Sequence, residues 1–173
     1  MATLADRSNA ARRLREHLKT VPHVTAMALV ETVCDELGAP PPSNEVLGWD
    51  ELRALAREGV ALGAHTRNHP LLDRLDVAEA AAEAVESVAD LRREVLGTPP
   101  IFAYPGGHVT DAVVDALRRA GVALAFVTRR GINDLRAADP LRLRRVNVSR
   151  HTTSLVFRAK LLPGLNRWRR HAK

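Results

Sequence analysis

Leu29, Val30, Val33 and Leu37 recur at three- and four-residue intervals, which predicts a helix over residues 25–37 with Gly38 placed as its C-terminal cap. Residues 9–19 also read as a helix, with a thinner apolar face. The run 39–44, Ala-Pro-Pro-Pro-Ser-Asn, interrupts the pattern as a loop. From Trp49 the pattern becomes regular. A helix over 50–58 ends at Gly59, and a short apolar strand over 60–64 runs straight into His65. Asp76 and Glu79 make a capping-box signature for a helix reaching about residue 96, before Gly97. Residues 101–104 read as a strand stopped by Pro105-Gly106-Gly107, and Thr110 caps a helix that stops at Gly121. A third strand follows over 122–127, and 141–148 alternates as a fourth. A last helix over 154–162 is closed by Pro163-Gly164.

Strands that alternate with helices imply an α/β fold with a parallel sheet or barrel, in which reactive residues gather where the strands end. His65 ends one strand and Tyr104-Pro105-Gly106-Gly107 ends the next, so both sequences should meet on one rim. At 173 residues the chain is the size of one domain, and 46% hydrophobic with 27% charged residues is a globular composition. Aromatics are only 3%, so the core is expected to be built from Ala, Leu and Val. A lone Cys34 excludes an intramolecular disulfide. No apolar run approaches the roughly 20 residues of a membrane span, and the first residues carry no secretory h-region. The expected location is therefore the cytoplasm. The net charge of +6 is spread along helix faces, with clusters at 142–145 and 167–173. No aromatic residues interleave with them, so nucleic acid is not an expected partner.

Candidate chemistry begins with the stretch Gly63-Ala-His-Thr-Arg-Asn-His-Pro70. Two imidazoles four residues apart can converge on one ion, and Pro70 pushes His69 towards an extended conformation in a turn. The helical zinc-protease pattern needs a Glu after its first His, and here that position is Thr66. A catalytic zinc site normally has three protein ligands plus water, so a carboxylate is missing. Asp50 and Asp73 lie nearby in sequence, and spacing selects neither.

Trp49 to Leu72, which contains that stretch, resembles the second motif of the polysaccharide deacetylases, the NodB-homology carbohydrate esterases. Phe102-Ala-Tyr-Pro-Gly-Gly resembles their third motif, and 126–133 and 139–146 are also similar to family members. The resemblance implies an incomplete, distorted (β/α) barrel of NodB-homology type. It implies metal-dependent removal of acetyl groups from an N-acetylated glycan, with His65 and His69 as ligands of a divalent ion, zinc being the expected one. It also implies that the Tyr104 backbone N–H donates to the oxyanion, with Tyr104 facing the histidines across the rim. Thr66 would support the metal loop by hydrogen bonding, and His151 is the candidate acid.

The chain departs from the family pattern in three places. The first motif, Thr-Phe-Asp-Asp-Gly, which supplies the family's general base and third metal ligand, is absent, and no Asp-Asp pair occurs anywhere. Ile101-Phe-Ala stands where an Arg often opens the third motif, and Ser-Arg-His151-Thr does not match the late histidine motif. His17, His23, His108 and His171 have no motif support. The general base and the third ligand are thus unassigned. The expectation is either the remainder of a longer enzyme, with an unpaired strand edge, or a degenerate domain that binds glycan or a partner without catalysis. The expected organisation is a helical segment over 1–44, the deacetylase-like α/β domain over 45–165 and a basic tail over 166–173. Oligomeric state is not legible.

Overall fold

A computed structural model describes residues 3–39 and 46–162 of the chain. The tail 166–173 and the Pro163-Gly164 helix stop lie outside these residues, as does most of the 39–44 loop. Among the described residues there are six α-helices: α1 (Leu4–Leu18), α2 (His23–Glu36), α3 (Trp49–Arg57), α4 (Val77–Glu94), α5 (Asp111–Arg119) and α6 (Ser154–Leu161). Three strands, β1 (Ile101–Ala103), β2 (Leu124–Arg130) and β3 (Leu143–Arg145), form one parallel sheet in the order β1-β2-β3. No helix among the described residues is long and apolar enough to cross a membrane.

The helix ends follow local chemistry. The Asp76 carboxylate accepts from the Ala78 and Glu79 N–H groups at 2.8 and 2.9 Å, satisfying first-turn donors of α4. Glu79 returns no bond, so only one half of the expected capping box is made. α1 begins five residues earlier than its apolar spacing predicts. Thr3 and Asp6 form a reciprocal cap there, with Thr3 N–H donating to Asp6 Oδ2 at 2.9 Å and Asp6 N–H donating to Thr3 Oγ1 at 3.2 Å. At the other ends, Gly59 and Gly121 take positive φ values of 92° and 75°. The N–H of the following residue then reaches back to a carbonyl in the last turn, Val60 to Leu55 and Val122 to Leu117, each at 3.0 Å. Both bonds redirect the chain from a helix towards the sheet.

Two predicted strands are shorter than their apolar patterns suggest. Only Ala64 of 60–64 pairs, as an isolated parallel bridge to Phe102. Ala64 N–H donates to Ile101 O at 3.0 Å and Ala103 N–H donates to Ala64 O at 2.9 Å. No second strand among the described residues covers its far side, and Val60 remains exposed. In the predicted strand 141–148, Pro140 opens a 3-10 turn capped by Asp139, which leaves only β3 to pair. β2 lies two to three residues later than expected, because Val122 is used in the turn after α5.

The core is mostly Ala, Val and Leu, as the composition implies, but its two largest side chains are aromatic. Phe102 and Tyr104 point to the same side of β1, with ring centroids 5.2 Å apart and planes at 69°. Ala80, Ala84 and Val88 of α4 and Val113, Val114 and Leu117 of α5 pack over them. Tyr104 is 2% exposed, and its hydroxyl donates to the Leu141 carbonyl at 2.8 Å, tying β1 to the turn before β3. Burial pushes the phenol up to about 12, so it remains a neutral donor.

Two outcomes follow from this bond. Tyr104→Phe strands a buried carbonyl and should cost about 1–2 kcal/mol in urea unfolding at unchanged slope. Because the folded phenol titrates above the unfolded one, its contribution is intact below pH 10 and lost as pH rises towards 12. Wild type should therefore lose stability over that interval relative to the Phe variant, as measured by alkaline unfolding.

Candidate active site

The chain leaves the Ala64 bridge, arches outward through residues 65–69 and re-enters the core at Pro70 and Leu72, both fully buried. The loop is therefore pinned at two points while His65 and His69 stay exposed between them. Their rings lie edge to face, with centroids 4.8 Å apart and planes at 77°. The predicted pair is thus brought together.

The Nδ1 atom of His65 lies 2.7 Å from the Ala103 carbonyl oxygen. A carbonyl can only accept, so Nδ1 carries the hydrogen and Nε2 keeps its lone pair for a ligand. An imidazole oriented by a backbone carbonyl in this way is the usual partner arrangement of a metal-ligating histidine. Two such rings suit an ion of the zinc type by donor chemistry. No third His, Cys, Asp or Glu joins them among the described residues. The donor set that would complete the coordination is therefore not assembled from these side chains.

Backbone geometry within the arch is unusual. Thr66 and His69 have φ values of 67° and 55°, the only positive values outside glycine among the described residues. The extended conformation expected of His69 before proline is not observed. A left-handed turn takes its place, aiming the ring back at His65. Each such residue costs on the order of 1–3 kcal/mol, and a β-branched residue is a true outlier there. Strain of this kind persists only where surrounding bonds enforce it. The Thr66 hydroxyl donates to the neighbouring His65 carbonyl at 2.5 Å, which gives the expected hydrogen-bonding role a local form.

The main enforcement comes from α4, through residues that the sequence analysis did not single out. Glu83 accepts the backbone N–H groups of Arg67 and Asn68, both at 3.0 Å, and the Asn68 side-chain amide at 2.5 Å. Arg67 forks onto Asp90, Nε to Oδ2 at 2.5 Å and Nη2 to Oδ1 at 2.9 Å, and also bonds Glu86. Burial raises the Glu83 carboxyl, but the bonds from Asn68 and Arg67 outweigh it and hold it below the ordinary value. Asp90 is pulled to about 2, chiefly by its hydrogen bond from Arg67. Glu83, Glu86 and Asp90 are three and four residues apart, so one helical stripe of acid faces the arch. That spacing was visible in the sequence, but the partner loop was not.

The other sequence candidates are placed elsewhere. The Tyr104 N–H, expected to serve an oxyanion, instead donates to Phe126 O at 3.1 Å as a bond between neighbouring strands. Its ring is in the core instead of facing the histidines, because strand alternation puts it on the same side as Phe102. His151 is exposed in the turn before α6, where its Nε2 accepts from Arg150 Nε at 3.0 Å, and it bonds neither histidine. Asp50 is paired with Arg53 at 2.7 Å, and Asp73 with His108 Nδ1 at 2.7 Å. His108, which lacked motif support, thus engages one of the carboxylates left open as a ligand. The turn after β1 packs tightly, since a Cβ on Gly107 would collide with the backbone nitrogen and side chain of Thr128.

Comparison with known proteins bears on the fold and the family. Similar solved structures include a Streptococcus pyogenes deacetylase, PplD, in complex with acetate. It shows a TM-score of 0.64 at 22% identity over 70% of this chain and 53% of that one. A polysaccharide deacetylase from Bacillus cereus gives 0.58 at 23% identity, over 68% of this chain and 37% of its own. A de-N-acetylase from Aggregatibacter actinomycetemcomitans gives 0.56 at 19% identity, over 70% and 58%. These likenesses show a shared fold, and the chain spans roughly half the length of the structures it matches. No curated protein sequence matches significantly. The model of the polysaccharide deacetylase family matches residues 14–125, from within α1 to β2, and includes both histidines and the Tyr104 turn. With well over half of its length matched, the chain belongs to the polysaccharide deacetylase family.

Proposed function

We propose that this chain is a metal-dependent hydrolase that removes acetyl groups from the N-acetylated sugars of a polysaccharide. The observation that carries the reading is the His65–His69 pair, with His65 Nδ1 fixed by Ala103 O and both rings exposed at the end of a sheet-paired segment. We further propose that the three-stranded sheet and the Ala64 segment are part of a distorted (β/α) barrel, with the site on the rim where its strands end. In this reading the helical segment 1–44 leads into the deacetylase domain 45–165 and its basic tail.

His65, through Nε2, and His69 would hold a divalent ion, with zinc the expected one. Such an ion lowers the pKa of a bound water and polarises the acetamide carbonyl. The remaining roles belong to the chain itself. Ala103 O sets the tautomer and ring plane of His65. Glu83 holds the arch by binding two of its amides, and Arg67 ties the arch to Asp90 and Glu86. Glu83 is a positioning residue that acts through the loop.

The first test is metal uptake by chelator-stripped protein, followed by acetate release from chitooligosaccharides. Wild type should bind about one ion per chain, and His65→Ala or His69→Ala should weaken binding at least tenfold and abolish acetate release. Uptake unaffected by either substitution would overturn the metal site. Ion binding with no acetate release would overturn the hydrolase and leave a glycan-binding domain, the second reading.

The support from α4 is separately testable. Glu83→Ala should weaken metal binding about tenfold while Glu83→Gln, which keeps an acceptor, recovers part of it. Acid should act on the same contacts. The Asp90 carboxyl is held at about 2 and the Glu83 carboxyl below its ordinary value, so the contribution of each is present above its ordinary pKa and lost as pH falls through the lowered one. Hydrogen-exchange protection of the Arg67 and Asn68 amides, both held by Glu83, should disappear as Glu83 is protonated below its ordinary pKa.

A further inference from the structure

A cleft of about 580 Å³, lined in part by Gly107 and Val127, opens at the C-terminal end of the parallel sheet on the side of β2 and β3. His65 leaves the Ala64 bridge at the same end of the sheet, on its β1 edge, so the cleft and the histidines share one rim with β1 and β2 between them. Three guanidinium groups line it, from Arg129, Arg142 and Arg144. Arg142 is occupied, since it bonds Asp111 and lies 3.6 Å from Asp139. Arg129 and Arg144 have no side-chain hydrogen bond or ion pair among the described residues.

Arg144 is nevertheless held in place. The Asn133 side chain clamps its backbone from both ends, with Nδ2 donating to Arg144 O at 2.8 Å and Arg144 N–H donating to Oδ1 at 3.0 Å. Its stem lies over Gly131, where an added Cβ would come within 2.9 Å of Arg144 Cδ. The next residues repeat the pattern, because Arg130 and Arg145 are register partners on parallel strands and have no acidic partner among the described residues. The pairing gathers positive charge at this strand end. The carboxylates in the cleft do not neutralise Arg129 and Arg144. Asp139 accepts from Leu141 N–H and faces Arg142 and Arg118, and Asp134 accepts from Arg136 N–H at 3.1 Å.

We propose that this cleft is a subsite for an anionic substituent, a carboxylate or phosphate, carried elsewhere along the glycan that presents its acetamide to the histidines. The inference rests on the deacetylase reading for its substrate class, while its chemistry rests on the two guanidiniums that have no side-chain partner among the described residues. A guanidinium fork matches either anion with paired charge-assisted hydrogen bonds. The volume is that of an ordinary ligand site and admits a sugar unit with its charged group.

The test is calorimetric binding at low salt of two N-acetylated tetrasaccharides, one alternating with glucuronate (hyaluronan tetrasaccharide) and one neutral (chitotetraose). Wild type should prefer the glucuronate oligomer by about tenfold, the range of one good hydrogen bond to a charged group. Arg129→Gln/Arg144→Gln should abolish the preference and leave chitotetraose binding unchanged. The exposed single variant Arg129→Gln should reduce it even if the double variant fails to fold. Removing equal charge from α1 by Arg7→Gln/Arg15→Gln should leave it intact. Equal affinity for both oligomers in wild type, a preference retained in the cleft variants, or an equal loss in the α1 variant would each overturn the subsite. Displacement by glucuronate over inorganic phosphate assigns a carboxylate, the reverse assigns phosphate, and displacement by neither overturns it. Binding is read without turnover, so the two proposals fail separately. A chain that releases no acetate but keeps the arginine-dependent preference loses the hydrolase and retains the subsite.

Discussion

The backbone of Ala103 is the point on which the rest of this structure depends. Its N–H holds the segment that leads into the histidine arch, and its carbonyl fixes the ring of the first histidine. On its other side, Ala103 is in register with Phe126 of β2, so the peptide that orients His65 is anchored in the sheet. Such an anchor supplies rigidity that a loop cannot generate alone. A ring oriented by a strand carbonyl has its tautomer and plane set before any ion arrives.

The arch needs a second anchor because its backbone is strained at Thr66 and His69. Helix α4 provides it by presenting a carboxylate stripe to the amides and guanidinium of the loop. The same helix turns Ala80, Ala84 and Val88 inward against Phe102 and Tyr104. One helix therefore packs the core beneath the rim and restrains the loop above it. The site depends on both faces of α4, since moving the helix would disturb core packing and loop geometry together.

Much of the architecture was legible because it is local. Asp76, Thr110, Gly59 and Gly121 act on atoms within a few residues of themselves, and the elements they bound occur within one to three residues of expectation. The isolated bridge at Ala64 was harder to foresee, since an apolar run becomes a strand only where a partner lies beside it. Tyr104 shows the same limit in another form. Its motif could be recognised, but whether its N–H faces a ligand or a strand is settled by the position of β2. The acidic stripe of α4 and the His108–Asp73 pair join residues 15 to 35 positions apart, across distances on which spacing carries no information.

The sequence by itself determined the alternation of helices and strands, the helix caps, the pairing of His65 with His69 as candidate ligands and the family resemblance that surrounds them. These are properties of short segments, governed by side-chain period, backbone sterics and nearest-neighbour hydrogen bonds. Tertiary structure decided which groups are already engaged. It committed the Tyr104 amide to the sheet, gave Asp73 to His108, secured the arch to Glu83 and, among the described residues, left Arg129 and Arg144 without side-chain partners. Engagement of this kind is a matter of position in space, because a donor or charge can serve a ligand only when the fold has not already satisfied it.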